Sequence, residues 1–297
     1  MKSENIFDKN IEYNGYRKLH AIFFKIHKYI NRFSQRAKSQ ADKFAFEQFK
    51  MKFGEREDDI YISTFPKSGT TLTQMILYQL TTDGNMDFDH IYDVSPWIRN
   101  SSFLGKEVPD LPSPRIIKTH DYYKYFQKQI KGKFIFVYRN GMDVAVSMFH
   151  QNKNYNNQNL KAEKYIDSFI KKNKKDWFNY TKGWLRNKNN FPILYLKYED
   201  LLNNKEQEIR KIIEFCNLKP DEDAIKRALK YSSFESMKKH ENKFGEQMQK
   251  APEKVFNQFI RKGISGEGKV EFSEKQQSIF AKRFSETIKK LEGNIFN

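Results

Sequence analysis

The stretch from Ile60 to Leu80 constrains the fold of this chain more than any other part of the sequence. It reads IYISTFPKSGTTLTQMILYQL. The β-branched and aromatic residues at positions 60–65 are typical of a strand buried in a parallel sheet. Apolar residues then recur at helical spacing, at Leu72, Met75, Ile76 and Leu80. The sequence therefore predicts a strand, a short polar loop and a helix, in that order.

The loop at residues 66–71 has the composition of an anion site. The first N–H groups of a helix and the positive end of its dipole attract phosphate groups. Lys67 adds an ammonium group, Gly69 lets the backbone approach closely, and three hydroxyls come from Ser68, Thr70 and Thr71. The pattern differs from the nucleotide-triphosphate loop GxxxxGK[ST], because here the lysine precedes the glycine. A plain helix cap with a solvated Lys67 is the alternative interpretation.

Length and charge fit a large domain with an anionic partner. A chain of 297 residues can bury roughly 75% of its unfolded surface, and no Pro/Gly/Ser-rich linker divides it. The 54 Lys and Arg against 37 Asp and Glu leave a net charge of +17, which favours a nucleotide, a nucleic acid or an anionic surface.

Cysteine content and hydropathy predict a reduced, cytoplasmic protein. The single cysteine, Cys216, excludes an internal disulfide and a Cys-rich metal site. Its spacing from Ile209, Ile212 and Ile213 predicts a core position. No apolar run reaches about 18 residues, and the N-terminus lacks the apolar segment of a signal peptide. We therefore expect no transmembrane segment.

Residues 1–50 predict a basic helical extension, separate from a domain at residues 51–297. They contain 11 Lys or Arg and 5 Asp or Glu. Packing on the protein's own domain or on a partner subunit is the first interpretation, and peripheral contact with a membrane surface is the second. The pattern rests on an apolar stripe of Ile22, Phe23, Ile26, Tyr29, Ile30 and Phe33.

Strand-like and helix-like segments alternate after residue 59. Strands are predicted at 60–65, 115–119, 133–138 and 193–198, and helices at 70–80, from 143 onward, and at 165–185, 205–217, 221–230 and 273–291. This alternation predicts a single α/β domain whose central, mainly parallel sheet is flanked by helices. Ligands of such sheets bind outside the carboxyl ends of the strands.

Polar residues follow the first three predicted strands at such positions, and the Lys67 loop after the first strand is one of these places. Lys118 and His120 come at the end of the second predicted strand. Arg139 ends the third, and Ser147 lies about two turns into the helix that follows. A later loop offers two more cations beside a glycine, in Arg261-Lys262-Gly263. The chain therefore supplies two separate anion-binding clusters and a histidine.

These motifs together resemble the cytosolic sulfotransferase family, which uses 3′-phosphoadenosine 5′-phosphosulfate as the donor of a sulfuryl group. FPKSGTT resembles the family's 5′-phosphosulfate loop, a P-loop-like element, and YRNGMDVAVS resembles its 3′-phosphate motif. IKTH resembles the segment that bears the catalytic histidine. Further matches are YEDLL, SSFESMKK and FIRKGISGEGK. They occur in family order from about Asp59 to Phe272, and residues 1–50 lie outside them.

The resemblance implies a role for each matching residue. His120 is the general base, Lys67 stabilises the leaving phosphate and Lys118 stabilises the sulfuryl group. The 5′-phosphate is bound by Lys67, Ser68, Gly69, Thr70 and Thr71. The 3′-phosphate is bound by Arg139, Ser147, Arg261, Lys262 and Gly263, and the adenine contacts are Tyr198, Ser232 and Phe234.

The chemistry of these side chains agrees with that assignment. An alcohol or phenol is not ionised at neutral pH, so its attack on sulfur needs a base with a pKa near 6–7, which suits histidine. Fixed cations stabilise the negative charge that develops on the transferred group. No His/Asp cluster with metal-ligand spacing is present in the sequence, so no metal is expected.

Two positions depart from the family pattern by the loss of a tryptophan, and a third departure is Asp121-Tyr122-Tyr123, which follows His120 in place of the common Leu-Pro. Leu72 stands where a tryptophan commonly stacks on the adenine, and Gly268 stands where a tryptophan is usual. The residues after Gly268 fit the family's dimer-contact pattern poorly, which leaves monomer and homodimer both open.

The acceptor is expected to be a small lipophilic alcohol or phenol, because aromatic and apolar residues flank the predicted site. Lids are predicted at residues 95–112 and 239–258. The flanking residues are Phe103, Leu104, Tyr122, Tyr123, Phe126, Phe149 and Phe244. The remaining histidines are interpreted as surface or packing residues, and for His150 a place at the border of the acceptor pocket is the alternative interpretation.

Two other functions remain open at this point. One is an ATP-dependent small-molecule kinase, although the chain lacks GxxxxGK[ST]. The other is a basic, non-enzymatic module that binds nucleic acid or a membrane. A His-Lys pair at a buried strand end argues against such a module, so no nucleic-acid partner is expected.

Overall fold

The structure is a computed structural model that describes Ile26, Tyr29, Ile30, Phe33 and residues 53–97, 110–126, 131–155, 159–172, 176–188, 190–245 and 259–296. The chain divides into two units, Met1–Gln48 and Phe49–Asn297. The four described residues of the first unit are helical. The other predictions for residues 1–50 lie outside the described residues.

The second unit is built on a four-stranded sheet in the order β2-β1-β3-β4, and every pair of neighbouring strands is parallel. The predicted strands and the α/β fold are confirmed. The bounds are β1, Ile60–Thr64; β2, Ile116–Thr119; β3, Lys133–Tyr138; and β4, Ile193–Lys197. Ser63 of β1 pairs with Thr119 of β2 and with Phe136 of β3. The carboxyl ends of the three strands therefore lie side by side.

The two faces of the sheet have different side chains, because successive residues of a strand point to opposite sides. Ile62 and Ile135 belong to an aliphatic core that also contains Ile209 and Ile225. On the other face Phe136 stacks on Trp184, with ring centroids 5.8 Å apart. Helices thus cover the sheet on both sides.

The helices that follow the strands mostly agree with prediction. Their bounds are α1, Thr70–Thr81; α2, Ile91–Val94; α3, Gly141–Tyr155; α4, Ala162–Lys171; α5, Trp177–Arg186; α6, Tyr198–Asn203; α7, Lys205–Cys216; α8, Glu222–Tyr231; α9, Phe234–Lys239; α10, Glu267–Glu271; α11, Glu274–Thr287; and α12, Lys289–Phe296. None of the described helices is long and apolar enough to cross a membrane.

Two helices that the sequence predicts as continuous are each divided. The segment at 165–185 forms the end of α4 and most of α5, because the side chain of Asp176 accepts a hydrogen bond from the Asn179 N–H and caps a new helix. The segment at 273–291 forms α11 and the start of α12, which are separated at Ile288. The capping box of Ser273 and Gln276 is present as predicted.

Cys216 ends α7 and packs against the aliphatic core, as its spacing predicts. It is half-buried and free. Burial raises the pKa of its thiol to about 12, so this thiol is inert at neutral pH.

The strand order creates a crevice between β1 and β3. The chain leaves β1 toward β2 on one side and leaves β3 toward β4 on the other. In parallel α/β sheets, ligands bind at such a reversal, outside the carboxyl ends of the strands. The loops after β1 and β3 both open into this crevice, and they carry Lys67 and Arg139.

Candidate active site

A cavity of about 630 Å³ lies outside the carboxyl ends of the strands. All the predicted site residues except Ser68 line it. They are Lys67, Gly69, Thr70, Thr71, Lys118, His120, Arg139, Ser147, Tyr198, Ser232, Phe234, Arg261, Lys262 and Gly263. Residues far apart in the sequence are therefore brought to one concave surface.

The loop after β1 is shaped to bind an anion. Lys67 and Gly69 both have left-handed backbone conformations, with φ of +69° and +92°. Such a conformation is uncommon for a residue with a side chain and is concentrated at functional sites. No side chain caps α1, so its first N–H groups, which belong to cavity-lining residues, are available to a ligand. Ser68 is buried, and its Oγ has no hydrogen-bond partner.

Two glycines let aromatic rings pack directly on the backbone of the site. A Cβ on Gly69 would lie 2.6 Å from Cδ2 of Tyr198, and one on Gly263 would overlap the ring of Phe234. Tyr198 is buried, whereas Phe234 is 39% exposed. The Phe234 ring is therefore the more accessible of the two aromatic surfaces at this end of the cavity.

Arg139 joins three parts of the site. Its NH1 donates to the main-chain oxygen of Lys67 at 2.8 Å, and its NH2 donates to that of Ile264 at 3.1 Å. Its guanidinium carbon lies 4.4 Å from the centre of the Tyr198 ring. The Nε atom is buried without a hydrogen-bond partner. Arg139 therefore stabilises the relative positions of two loops, and its Nε–H is left without an acceptor.

The sequence interpretation missed a carboxylate among the cations. Glu267 lines the cavity and forms ion pairs with both Arg261 and Lys262. The signal was present in the sequence, since Glu267 lies between two glycines just after the Arg-Lys-Gly segment.

His120 is held by the end of the neighbouring strand. Its Nδ1 lies 2.8 Å from the main-chain oxygen of Thr64 and 3.3 Å from the Thr64 hydroxyl. A carbonyl oxygen only accepts, so Nδ1 carries the proton and Nε2 of the neutral ring carries the lone pair. This arrangement leaves Nε2 as the basic atom.

Lys118 is buried between aromatic rings. Its Nζ donates to the Tyr92 hydroxyl at 2.6 Å and lies 4.7 Å from the centre of the Tyr92 ring and 4.5 Å from that of Trp97. Trp97 also packs edge-on against His120, with ring centroids 5.5 Å apart. Sequence reasoning missed Tyr92 and Trp97, since neither belongs to a motif that carries the chemistry.

Some expectations about the surroundings of the site were wrong. Tyr123, Phe126 and Phe244 are buried in the core, where Phe126 packs on Trp184, and they do not line the cavity. His90, by contrast, is a packing residue, as predicted from the sequence: it is the buried N-cap of α2, and its Nε2 lies 2.6 Å from the Gly245 carbonyl oxygen. Most residues of both predicted lids, together with Phe103 and Leu104, lie outside the described residues.

His150 lies within α3 and lines the cavity. Burial lowers the pKa of its imidazole, and the positive charge of Arg261 lowers it further. The ring therefore favours its neutral form at this end of the site.

The structure describes the contacts of Leu72 and Gly268, the two positions that lack the family's tryptophan. Leu72 is buried in α1 and lines the cavity. Gly268 packs tightly on α3, because a Cβ there would overlap the Cβ of Met142 and lie 2.7 Å from its carbonyl carbon. This position therefore excludes a larger side chain in the present packing. Among the described residues, no group of three or more His, Cys, Asp or Glu side chains is placed to hold a metal ion.

A family model and individual relatives identify the same protein family for this chain. Residues 57–292 match the family described as Sulfotransferase domain. The chain is 34% identical to sulfotransferase 1B1 of Mus musculus over 249 residues, which span 77% of this chain and 83% of that protein. It is 32% identical to sulfotransferase 1C2 of Homo sapiens over 263 residues, which span 82% and 87% of the two chains.

Solved structures share the fold. Mouse sulfotransferase SULT7A1, complexed with PAP, superposes with a TM-score of 0.61 at 24% identity, over 78% of this chain and 85% of that chain. Retinol dehydratase, in complex with androsterone and the inactive cofactor PAP, superposes with a TM-score of 0.64 at 20% identity, over 79% and 81% of the two chains.

Proposed function

The chain belongs to the sulfotransferase family, and from that premise we propose that it transfers the sulfuryl group of 3′-phosphoadenosine 5′-phosphosulfate to the hydroxyl of a small lipophilic acceptor. The observation that carries the proposal is the convergence of Lys67, His120 and the cations Arg139, Arg261 and Lys262 on one cavity. We assign the activity to residues 51–297.

The loop after β1 would hold the 5′-phosphosulfate. The N-terminus of α1 supplies N–H groups from Gly69, Thr70 and Thr71, and the unused hydroxyl of Ser68 can donate to a phosphate oxygen. The Lys67 ammonium would stabilise charge on the bridging oxygen as the bond to sulfur breaks. Buried hydroxyls in proteins are normally hydrogen-bonded. A bound phosphate would supply the partner that the Ser68 hydroxyl lacks.

The second cluster would hold the 3′-phosphate. Arg139 has a buried Nε without a partner, and Ser147, Arg261, Lys262 and Gly263 line the same cavity as Arg139. Two separated basic sites suit a donor that carries phosphate groups at both ends of its ribose.

The adenine would lie near Tyr198, Ser232 and Phe234. The exposed face of Phe234 can stack on a base, and stacking of this kind contributes about 1–3 kcal/mol. Leu72 provides apolar contact at the position where a second ring is common in the family, so Phe234 carries more of the stacking here.

His120 would act as the general base through Nε2. The acceptor oxygen forms a bond to sulfur as its proton passes to Nε2, and the bond from sulfur to the bridging oxygen breaks. The products are the sulfate ester and adenosine 3′,5′-bisphosphate. Lys118 would stabilise the oxygens of the sulfuryl group during this transfer, and Tyr92 and Trp97 keep its ammonium in place.

The lipophilic acceptor is inferred from the rings around the base. Trp97 packs against His120, and aromatic side chains beside a binding site favour apolar ligands. The structural neighbour retinol dehydratase is complexed with the steroid androsterone. Sterol-like alcohols and small phenols are therefore the first acceptors to examine.

The proposal is tested by transfer from sulfur-labelled donor to a panel of sterols, phenols and amines. Labelled hydroxyl acceptors, together with release of the bisphosphate, are the expected result. Transfer from γ-labelled ATP without transfer from the sulfur donor would identify a kinase instead. Salt-dependent retention on DNA without nucleotide binding would identify a basic binding module.

A further inference from the structure

The two cations of the Arg261-Lys262 segment face an internal carboxylate. Glu267 Oε1 accepts a hydrogen bond from Arg261 NH1 at 2.9 Å, and Arg261 NH2 donates to Oε2. The Lys262 ammonium lies 2.9 Å from Oε1. The Glu267 side chain is only 10% exposed. Both oxygens of one carboxylate are therefore engaged by the fork of an arginine and by a lysine.

This carboxylate is ionised under ordinary conditions. Burial raises the pKa of Glu267, but the hydrogen bonds and the positive charges of Arg261 and Lys262 together outweigh this effect and lower the pKa to about 2. An arginine fork binds the paired oxygens of a carboxylate and of a phosphate in the same geometry. Glu267 thus makes the contacts to these cations that a phosphate group would make.

The main chain around Glu267 is fixed to α3. The N–H groups of Gly266 and Gly268 both donate to the Asp143 carboxylate, each at 2.7 Å. Gly268 also packs against Met142 without space for a side chain. The carboxylate can therefore move away from the cations only by rotation of its own side chain.

Arg139 is engaged differently from the other two cations. It donates to two main-chain carbonyls, those of Lys67 and Ile264, and forms no ion pair with a carboxylate in the described part of the chain. Among the three cations, Arg261 and Lys262 are therefore the ones for which the Glu267 carboxylate and a ligand phosphate would compete.

We propose that Glu267 is a specificity-determining counter-ion, whose ion pairs with Arg261 and Lys262 must be displaced by the 3′-phosphate of the donor. This inference rests on the proposed function. A phosphate monoester carries a charge of about −1.5 to −2 near neutral pH, so it can displace a single carboxylate charge. A nucleotide without a 3′-phosphate leaves Glu267 in place and gains nothing at this position.

The experiment is calorimetric titration of adenosine 3′,5′-bisphosphate and of adenosine 5′-phosphate into the wild type, Glu267→Gln and Glu267→Asp. Glu267→Gln is expected to bind the bisphosphate about tenfold more tightly than the wild type, which corresponds to about 1.4 kcal/mol. Its affinity for the 5′-phosphate should not change. Glu267→Asp, which keeps the charge but withdraws it by one methylene, should fall between the two and provides a second variant if the first does not fold.

Glu271→Gln is the matched control, because it removes an exposed carboxylate from the same helix and should change neither affinity. Equal or weaker binding of the bisphosphate by Glu267→Gln would overturn the inference and indicate that Glu267 only orients the cations. An equal gain for both nucleotides would also overturn it, as a general charge effect. Failure of the wild type to bind either nucleotide would instead overturn the proposed function, and the inference with it.

Discussion

Arg139 NH1 donates a hydrogen bond to the main-chain oxygen of Lys67 at 2.8 Å. The bond connects the loop after β3 to the loop after β1, across the crevice at which the strand order reverses. The same side chain also reaches the Ile264 carbonyl. One guanidinium therefore stabilises the arrangement of the two proposed phosphate sites.

Arg139→Lys is expected to weaken binding of adenosine 3′,5′-bisphosphate by about 10- to 100-fold. The ammonium keeps the charge but cannot reach two carbonyls and a ligand together, and hydrogen bonds to charged groups contribute about 1.5–3 kcal/mol. Titration calorimetry measures the change. Arg186→Lys, at an exposed position at the end of α5, is the control. An affinity equal to that of the wild type would remove Arg139 from the donor site.

Gly266 and Gly268 are expected to respond differently to asparagine. Gly266 has φ of +91° and open space around it, and asparagine tolerates this left-handed conformation. At Gly268 the new side chain overlaps Met142, and overpacking of this kind costs about 1–3 kcal/mol. Urea denaturation should therefore show a clearly larger loss for Gly268→Asn. Equal losses in the two variants would contradict the packing described for α10 on α3.

The contribution of Glu267 to stability is expected to depend on pH. Its pKa is lowered from 4.5 to about 2 in the folded protein, so its ion pairs stabilise the fold fully above pH 4.5 and lose this effect as the pH falls toward 2. The difference in unfolding free energy between the wild type and Glu267→Gln should therefore be largest near neutral pH and shrink in acid. A difference that stays constant from pH 7 to pH 3 would show that the ion pairs do not stabilise the fold.

The sequence predicted the parts of the fold that depend on local pattern. β1 to β4 are short runs dominated by β-branched, aromatic and other apolar residues, and α1 follows its apolar spacing to within one residue of the predicted end. The break before α5 was missed, because apolar spacing continues across it while the cap at Asp176 is a short polar signal.

The missed site residues depend on distant contacts. The pairing of Glu267 with Arg261 requires two turns with left-handed glycines, Gly263 and Gly266, and spacing alone does not show how such turns fold. Tyr92 reaches Lys118 from a separate segment of the chain. Side chains that contact a motif residue but lie outside the motif in sequence can be identified only from the folded structure.

The Thr64 carbonyl fixes Nδ1 of His120, which leaves Nε2 as the proposed general base. The most direct test is the single-turnover rate of sulfuryl transfer by His120→Ala at saturating donor, with binding of adenosine 3′,5′-bisphosphate measured on the same preparation. His240→Ala is the matched control, because the Nδ1 of His240 also bonds to a carbonyl, that of Ser236 at 2.8 Å, and His240 does not line the cavity. We predict that His120→Ala transfers about 10²- to 10⁴-fold more slowly than the wild type, with bisphosphate affinity unchanged. A transfer rate equal to that of His240→Ala would contradict the assignment of His120 as the general base.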